Sequence, residues 1–185
     1  MNPQSLREFL DGLVKDPKLF PVYSEDGKLL TTWCNLGAQR VAQFFDCKEF
    51  ALPNARADGL YHWMASNLSG KWIKIDGDAA TTRALRGELV FSALPSWVLG
   101  GGHGHIAAVM PLPMAKSASL GVLVPQVANI GAGRPDEPLV PLLGDPERKK
   151  TRSNWVCKTS QAYPVKWGHP NYYAWLPDAI APFAG

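Results

Sequence analysis

Residues 31–45, TTWCNLGAQRVAQFF, decide how the chain is read. Ala38, Val41, Phe44 and Phe45 follow Cys34 at helical spacing, so the stretch predicts an amphipathic helix with Cys34 in its first turn. Thr31 or Thr32 is the expected cap. A sulfur at that place meets the positive end of the helix macrodipole and backbone N–H groups that have no partner inside the helix. Both favour thiolate over thiol, and thiolate is the nucleophile. The same N–H groups can hold an oxyanion. The competing reading is a small buried structural side chain, the commonest fate of an unpaired cysteine.

On either side of this stretch the pattern changes once. Leu6, Phe9, Leu10 and Leu13 predict a helix over 3–14, and 16–30 reads as a loop with an Asp26-Gly27 turn. Residues 54–68, NARADGLYHWMASNL, read as a third helix. Residues 78–87, DAATTRALRG, read as a short fourth with Asp78 near its start and Gly87 as its stop. From there the signals are those of strands: ELVFSAL (88–94), HIAAVMP (105–111) after the glycine-rich loop 95–104, and LGVLVPQVANI (120–130). Residues 131–152, rich in proline and charge, read as an irregular loop. WVCKTSQAYPVKW (155–167) supplies a last strand or two before NYYAWL (171–176). Helices followed by strands predict one α+β domain over residues 1–185, its N-terminal helices packed on a small antiparallel sheet.

Composition removes several function classes. Apolar residues make up 46% and charged ones 19%, which is globular rather than disordered. No apolar run reaches the length of a membrane span, and MNPQSLREFLDGL lacks the basic, apolar and small-residue regions of a Sec signal. The expectation is a soluble protein made in the cytoplasm, reaching any other compartment by a non-Sec route. Net charge is +3, and the one basic cluster, PERKKTR (146–152), reads as a solvated loop, which argues against nucleic acid as a partner. Cys34, Cys47 and Cys157 have no C-x-x-C spacing, so neither a zinc knuckle nor a thioredoxin-type motif is present. Should Cys47 and Cys157 pair, Cys34 is left free.

A cysteine nucleophile needs a base, and GGGHGHIAAVMP (100–111) offers His103 and His105. His105 opens an apolar strand, where its ring can project while Ile106 and Ala108 face differently; His103 sits in the flexible glycine run. The alternative for His105 is a strand-end histidine bonded to a backbone carbonyl. A third group must fix the imidazole, and the strand that follows contains Gln126 and Asn129. Their spacing puts them on opposite faces of a regular strand, and Asn129, at the strand's end two residues before a glycine, is preferred. Two rival chemistries are weaker. His103-x-His105 could begin a zinc site, but no third ligand lies near in sequence. The glycines lack the Gly-Lys-Ser/Thr of a phosphate loop.

TTWCN opening a helix, AATTRALRGELVFSAL, GHIAAVMP and VPQVANIGAG, in that order, resemble the NlpC/P60 and CHAP group of papain-like cysteine peptidases, especially phage-associated and effector-type peptidoglycan hydrolases. The similarity runs from about Tyr23 to Gly133. It implies a papain-like fold with Cys34 as nucleophile, His105 as general base and Asn129 as the third group, with Gln126 in reserve. It implies an oxyanion or substrate-orienting role for Tyr23. Trp33, beside the nucleophile, and Trp97, in the glycine-rich loop, are groove candidates, whereas Tyr61 and Trp63 read as core. The chain departs from the group in having Asn35 where many members have Ser-Gly after the cysteine, and in the insert at 131–152. The implied reaction is hydrolysis of an amide of murein without metal or cofactor, by a monomer whose further partner could be an immunity or delivery protein. The rivals are a thiol acyltransferase or deamidase, and an inactive relative that binds wall fragments.

Overall fold

Asn2 starts the first helix by accepting the Gln4 N–H on its side-chain oxygen at 2.9 Å, with Pro3 in the first helical position, where a missing N–H costs nothing. The structure, a computed structural model, describes residues 1–26, 28–50, 55–100, 102–131, 140–142, 145–150, 154–163 and 169–177. The elements run in the order α1 (Pro3–Lys15), β1 (Val22–Ser24), β2 (Leu29–Thr31), α2 (Cys34–Phe44), α3 (Ala57–Ser66), β3 (Trp72–Ile75), α4 (Gly77–Leu85), β4 (Val90–Leu94) and β5 (His105–Val109). Then come β6 (Ala115–Lys116), β7 (Leu123–Val124), β8 (Gln126–Asn129), β9 (Val140–Leu142), β10 (Asp145–Lys150), β11 (Trp155–Lys158), α5 (Thr159–Ala162) and β12 (Asn171–Trp175).

The fold is mixed α+β. Its centre is a six-stranded sheet in the order β11-β8-β5-β4-β12-β3, antiparallel at every pairing. On one face Ile106, Ala108, Ala128 and Phe91 meet the buried sides of α1, α2 and α3, among them Leu6, Leu10, Ala38, Val41, Leu60 and Met64. On the other, Ala107, Val109, Val127 and Val90 meet Ala80 and Ala84 of α4. Both faces are covered, so β4 is buried at every position and β5 at every position after His105, rather than at alternate ones. At roughly 25 cal/mol per Å² of apolar surface removed from water, these two interfaces are the main driving force for the fold.

Two expectations are corrected. Residues 16–30 are not simply loop, since β1 and β2 pair as a hairpin. The stretch 131–152 is not simply loop either: β9 and β10 lie in it, and β10 pairs with β1 in a second sheet of order β2-β1-β10-β9. Gly27 and much of 132–153 lie outside the described residues. β3 has no counterpart in the sequence reading, and 155–162 is a strand followed by one helical turn, with 164–168 outside the described residues. Asp78 lies in the first turn of α4, as expected; Asp76 caps that helix, accepting the Ala79 N–H at 2.7 Å, and Gly87 ends it with a φ of +76°. Among the described residues no helix is long and apolar enough to cross a membrane.

Candidate active site

Cys34 is the first residue of α2 and is 4% exposed. Its neighbours differ from the expected cap. Trp33 holds the N-cap position without a side-chain bond, and the Thr32 hydroxyl accepts the Cys34 N–H at a long 3.4 Å. The head of the helix is thus weakly satisfied, as a donor site for an incoming oxyanion needs to be. Helix α2 packs most extensively on β5, which brings the sulfur to the strand's first residues. Cys34 Sγ lies 4.0 Å from the Gly104 carbonyl oxygen, one residue before His105.

His105 and Asn129 meet because of strand register. β5 and β8 pair with Ala108 opposite Ala128, so one step further Asn129 falls opposite Ala107. His105, two residues from Ala107, is then the diagonal neighbour of Asn129 on the same sheet face. His105 Nε2 lies 2.7 Å from Asn129 Oδ1, and since an amide oxygen only accepts, Nε2 carries the proton and donates. That leaves Nδ1 for the exchange with Cys34. Asn129 is 1% exposed, and its other side-chain partner is Cys157 on the adjacent strand. Gln126 is excluded from this cluster. It sits at the other end of β8, where its backbone carbonyl accepts the Met110 N–H and its amide donates to the Pro113 carbonyl.

The electrostatics single out one thiol. Burial pushes the Cys34 thiol up, but the hydrogen bond and positive charge of His105, with lesser help from Thr32 and the Ile106 backbone, outweigh it and hold the thiol below its ordinary value. Burial likewise pushes His105 down, and its bond to Cys34, the sulfur's negative charge and the Asn129 bond outweigh that and raise it. The pair is therefore biased towards thiolate and imidazolium. Burial pushes Cys47 and Cys157 up to about 12 each. All three cysteines are free; Cys47 belongs to the core on the α2 face and Cys157 to the opposite one, so they do not pair.

In front of Cys34 lies a cavity of about 240 Å³, lined by Thr32 and Trp33, by Arg56 just before α3 and Asp58 in it, and by His103 and Gly104. Of the aromatic candidates, Trp33 lines it. Trp97 does not; it is 65% exposed and rests edge-on against Tyr61, ring centroids 5.8 Å apart. Tyr23 does not line it either, being half-buried in β1 of the second sheet. Tyr61 and Trp63 pack on the core, as expected. His103 is exposed on the loop. Among the described residues no three His, Cys, Asp or Glu side chains converge as a metal site would require.

Three residues absent from the sequence reading complete the site. Tyr163 stands behind the imidazole, ring centroids 5.3 Å apart, and its hydroxyl donates to the Ser92 carbonyl at 2.7 Å. Gly131, with φ +88°, passes so close to the head of α2 that a Cβ there would lie 2.8 Å from the Trp33 nitrogen and 2.9 Å from that of Cys34. Asp58 faces the cavity from α3. The sequence carries one usable signal for these, the glycine that follows Asn129-Ile130. The chain matches no protein-family model, and no curated protein matches it.

Proposed function

We propose that the chain is a papain-like cysteine hydrolase of the NlpC/P60 or CHAP type, an amidase or endopeptidase that cuts an amide bond of peptidoglycan. The observation that carries the reaction class is the convergence of Cys34 at a helix head, His105 at a strand start and Asn129 bonded to the ring's far nitrogen. The choice of murein rests on the sequence resemblance. In this mechanism the Cys34 thiolate adds to the amide carbonyl carbon, and the oxyanion forms against the N–H groups heading α2. The imidazolium gives its proton to the departing amine as the C–N bond breaks, leaving a thioester on the sulfur. Water, deprotonated by the now neutral imidazole, adds to the thioester carbonyl, and the acid product and thiolate separate. Asn129 keeps Nε2–H occupied throughout, so that Nδ1 is the nitrogen that exchanges protons.

A monomer with its substrate in the cell wall acts outside the cytoplasm, and an immunity protein would be needed where the producing cell shares that substrate. The acyltransferase or deamidase reading uses the same three residues and differs in the acceptor or substrate. Mass spectrometry of purified murein separates them. Wild-type protein should release muropeptides that have gained one water across an amide, and Cys34→Ala should release none while unfolding at the wild-type temperature. Intact murein after incubation with wild-type protein, or full turnover by Cys34→Ala, defeats the proposal.

A further inference from the structure

Asp58 occupies the first turn of α3, where a carboxylate normally complements the helix's own N–H groups. Here it turns outward instead. Its Oδ1 accepts the Ser96 N–H at 2.7 Å, 38 residues along the chain. Ser96 and Gly104 lie at the two ends of the connection between β4 and β5, because those strands pair with Leu94 opposite His105. The same oxygen lies against Gly104: a Cβ built there would collide with Asp58 Oδ1 and come within 3.1 Å of the Leu94 carbonyl oxygen. One carboxylate oxygen therefore sits in the neck of the loop, bonded to one side and packed on the other. Gly104 in turn presents its carbonyl to Cys34 Sγ and is followed by His105. Among the described residues Asp58 makes no ion pair, and Arg56 on the same cavity is not bonded to it.

We infer that Asp58 is a positioning residue, a pin across the neck of the β4–β5 loop that sets the distance between the Cys34 sulfur and the His105 ring. The role needs an acceptor oxygen rather than a charge. It rests on the cysteine-hydrolase reading for its consequence in turnover, but not for its effect on the thiol.

The test uses the full chain in three variants, Asp58→Ala, Asp58→Asn and Gly104→Ala, and two readouts: the pH profile of Cys34 alkylation by iodoacetamide, and kcat/KM on murein. Asp58→Ala should move the alkylation midpoint to higher pH and lower kcat/KM roughly 10–100-fold, the scale of loss for a reacting group misplaced by about an ångström. Asp58→Asn keeps the oxygen and should restore both most of the way. Gly104→Ala, which crowds the pin while leaving every residue of α3 unchanged, should reproduce the alkylation shift even if Asp58→Ala does not fold. The inference is overturned if Asp58→Asn is as impaired as Asp58→Ala. A raised KM with unchanged alkylation in both Asp58 variants overturns it too, since the carboxylate would then be reading a cationic group on the substrate. Lowered thermal stability with a wild-type alkylation profile also overturns it. The expected alkylation shifts in the variants, with no attack on murein by the wild-type protein, would defeat the proposed substrate and leave the pin standing.

Discussion

His105 Nε2 and Asn129 Oδ1 are 2.7 Å apart across two neighbouring strands, a diagonal pair on one face of the central sheet. The bond joins two paired strands, so the imidazole is held by the sheet while the Cys34 sulfur is held by a helix. A 1% exposed amide also gives the bond a dry setting, where a hydrogen bond is stronger than in water.

The loop histidine His103 and the strand histidine His105 should differ sharply. His105→Ala removes the proposed base and should lower turnover by about 10²–10⁴. His103→Ala, whose ring is exposed on the glycine run, should stay near wild type. Asn129→Ala should fall between, because it fixes the ring without moving a proton itself. Steady-state rates on murein check all three. Equal damage from His103→Ala and His105→Ala, with activity following added zinc, would replace the cysteine mechanism with a metal one.

Among the three thiols, iodoacetamide near neutral pH should label Cys34 first. All three are buried to a similar degree, so exposure does not choose between them. Ionisation does: Cys34 is held below its ordinary value and opens on a cavity, while Cys47 and Cys157 are pushed up to about 12. Peptide mapping with equal labelling of the three would return Cys34 to a structural role.

The direction of the pH dependence follows from what opposes burial at each group. The Cys34 thiol lies below 9.0 because His105 outweighs burial. In His105→Ala the bond and charge go while burial stays, so the alkylation midpoint should move up. His105 lies above 6.5, and Asn129 is one of the contacts that outweigh burial there. Asn129→Ala should therefore bring the alkaline limb of murein hydrolysis to lower pH. An alkylation midpoint unchanged in His105→Ala would show that the helix head, not the imidazole, activates the sulfur.

Cys34, His105 and Asn129 could be found from the sequence because each carries a local signal: a helix start after threonines, a strand start after glycine, a polar tip before glycine. α1 and α2, with their apolar stripes, were readable for the same reason. What could not be read is non-local. β1 is three residues long and sits between β2 and β10, the latter far along the chain, so it does not look like a strand alone. Asp58 looks like an ordinary first-turn acid until Ser96 is folded against it. Tyr163 follows a single helical turn, and only the sheet brings its ring behind His105. The preference for Asn129 over Gln126 is local; the register of β5 on β8, which alternation alone does not supply, is what puts Asn129 beside His105.

Gly131 should prove as demanding as the residues that do chemistry. Its φ of +88° is open to glycine and strained for alanine, a difference of about 1–2 kcal/mol for a left-handed residue. Steric conflict adds to this, because the new Cβ would press on the Trp33 and Cys34 nitrogens. The loop cannot easily retreat. The Gly131 N–H donates to the Asn154 side-chain oxygen at 2.8 Å, and the Asn154 amide donates to the Leu19 carbonyl at 2.9 Å, tying the crossing to the segment after α1. The strain must therefore be relieved at the head of α2. Gly131→Ala should lower the urea midpoint and, even where the protein remains folded, shift Cys34 alkylation to higher pH as the helix head moves from His105. Asn154→Ala, which frees the crossing, should soften the second effect in the double variant while lowering stability further, since it strips partners from two buried backbone groups. Wild-type stability and alkylation in Gly131→Ala would mean that the close approach at the helix head has no bearing on the thiol.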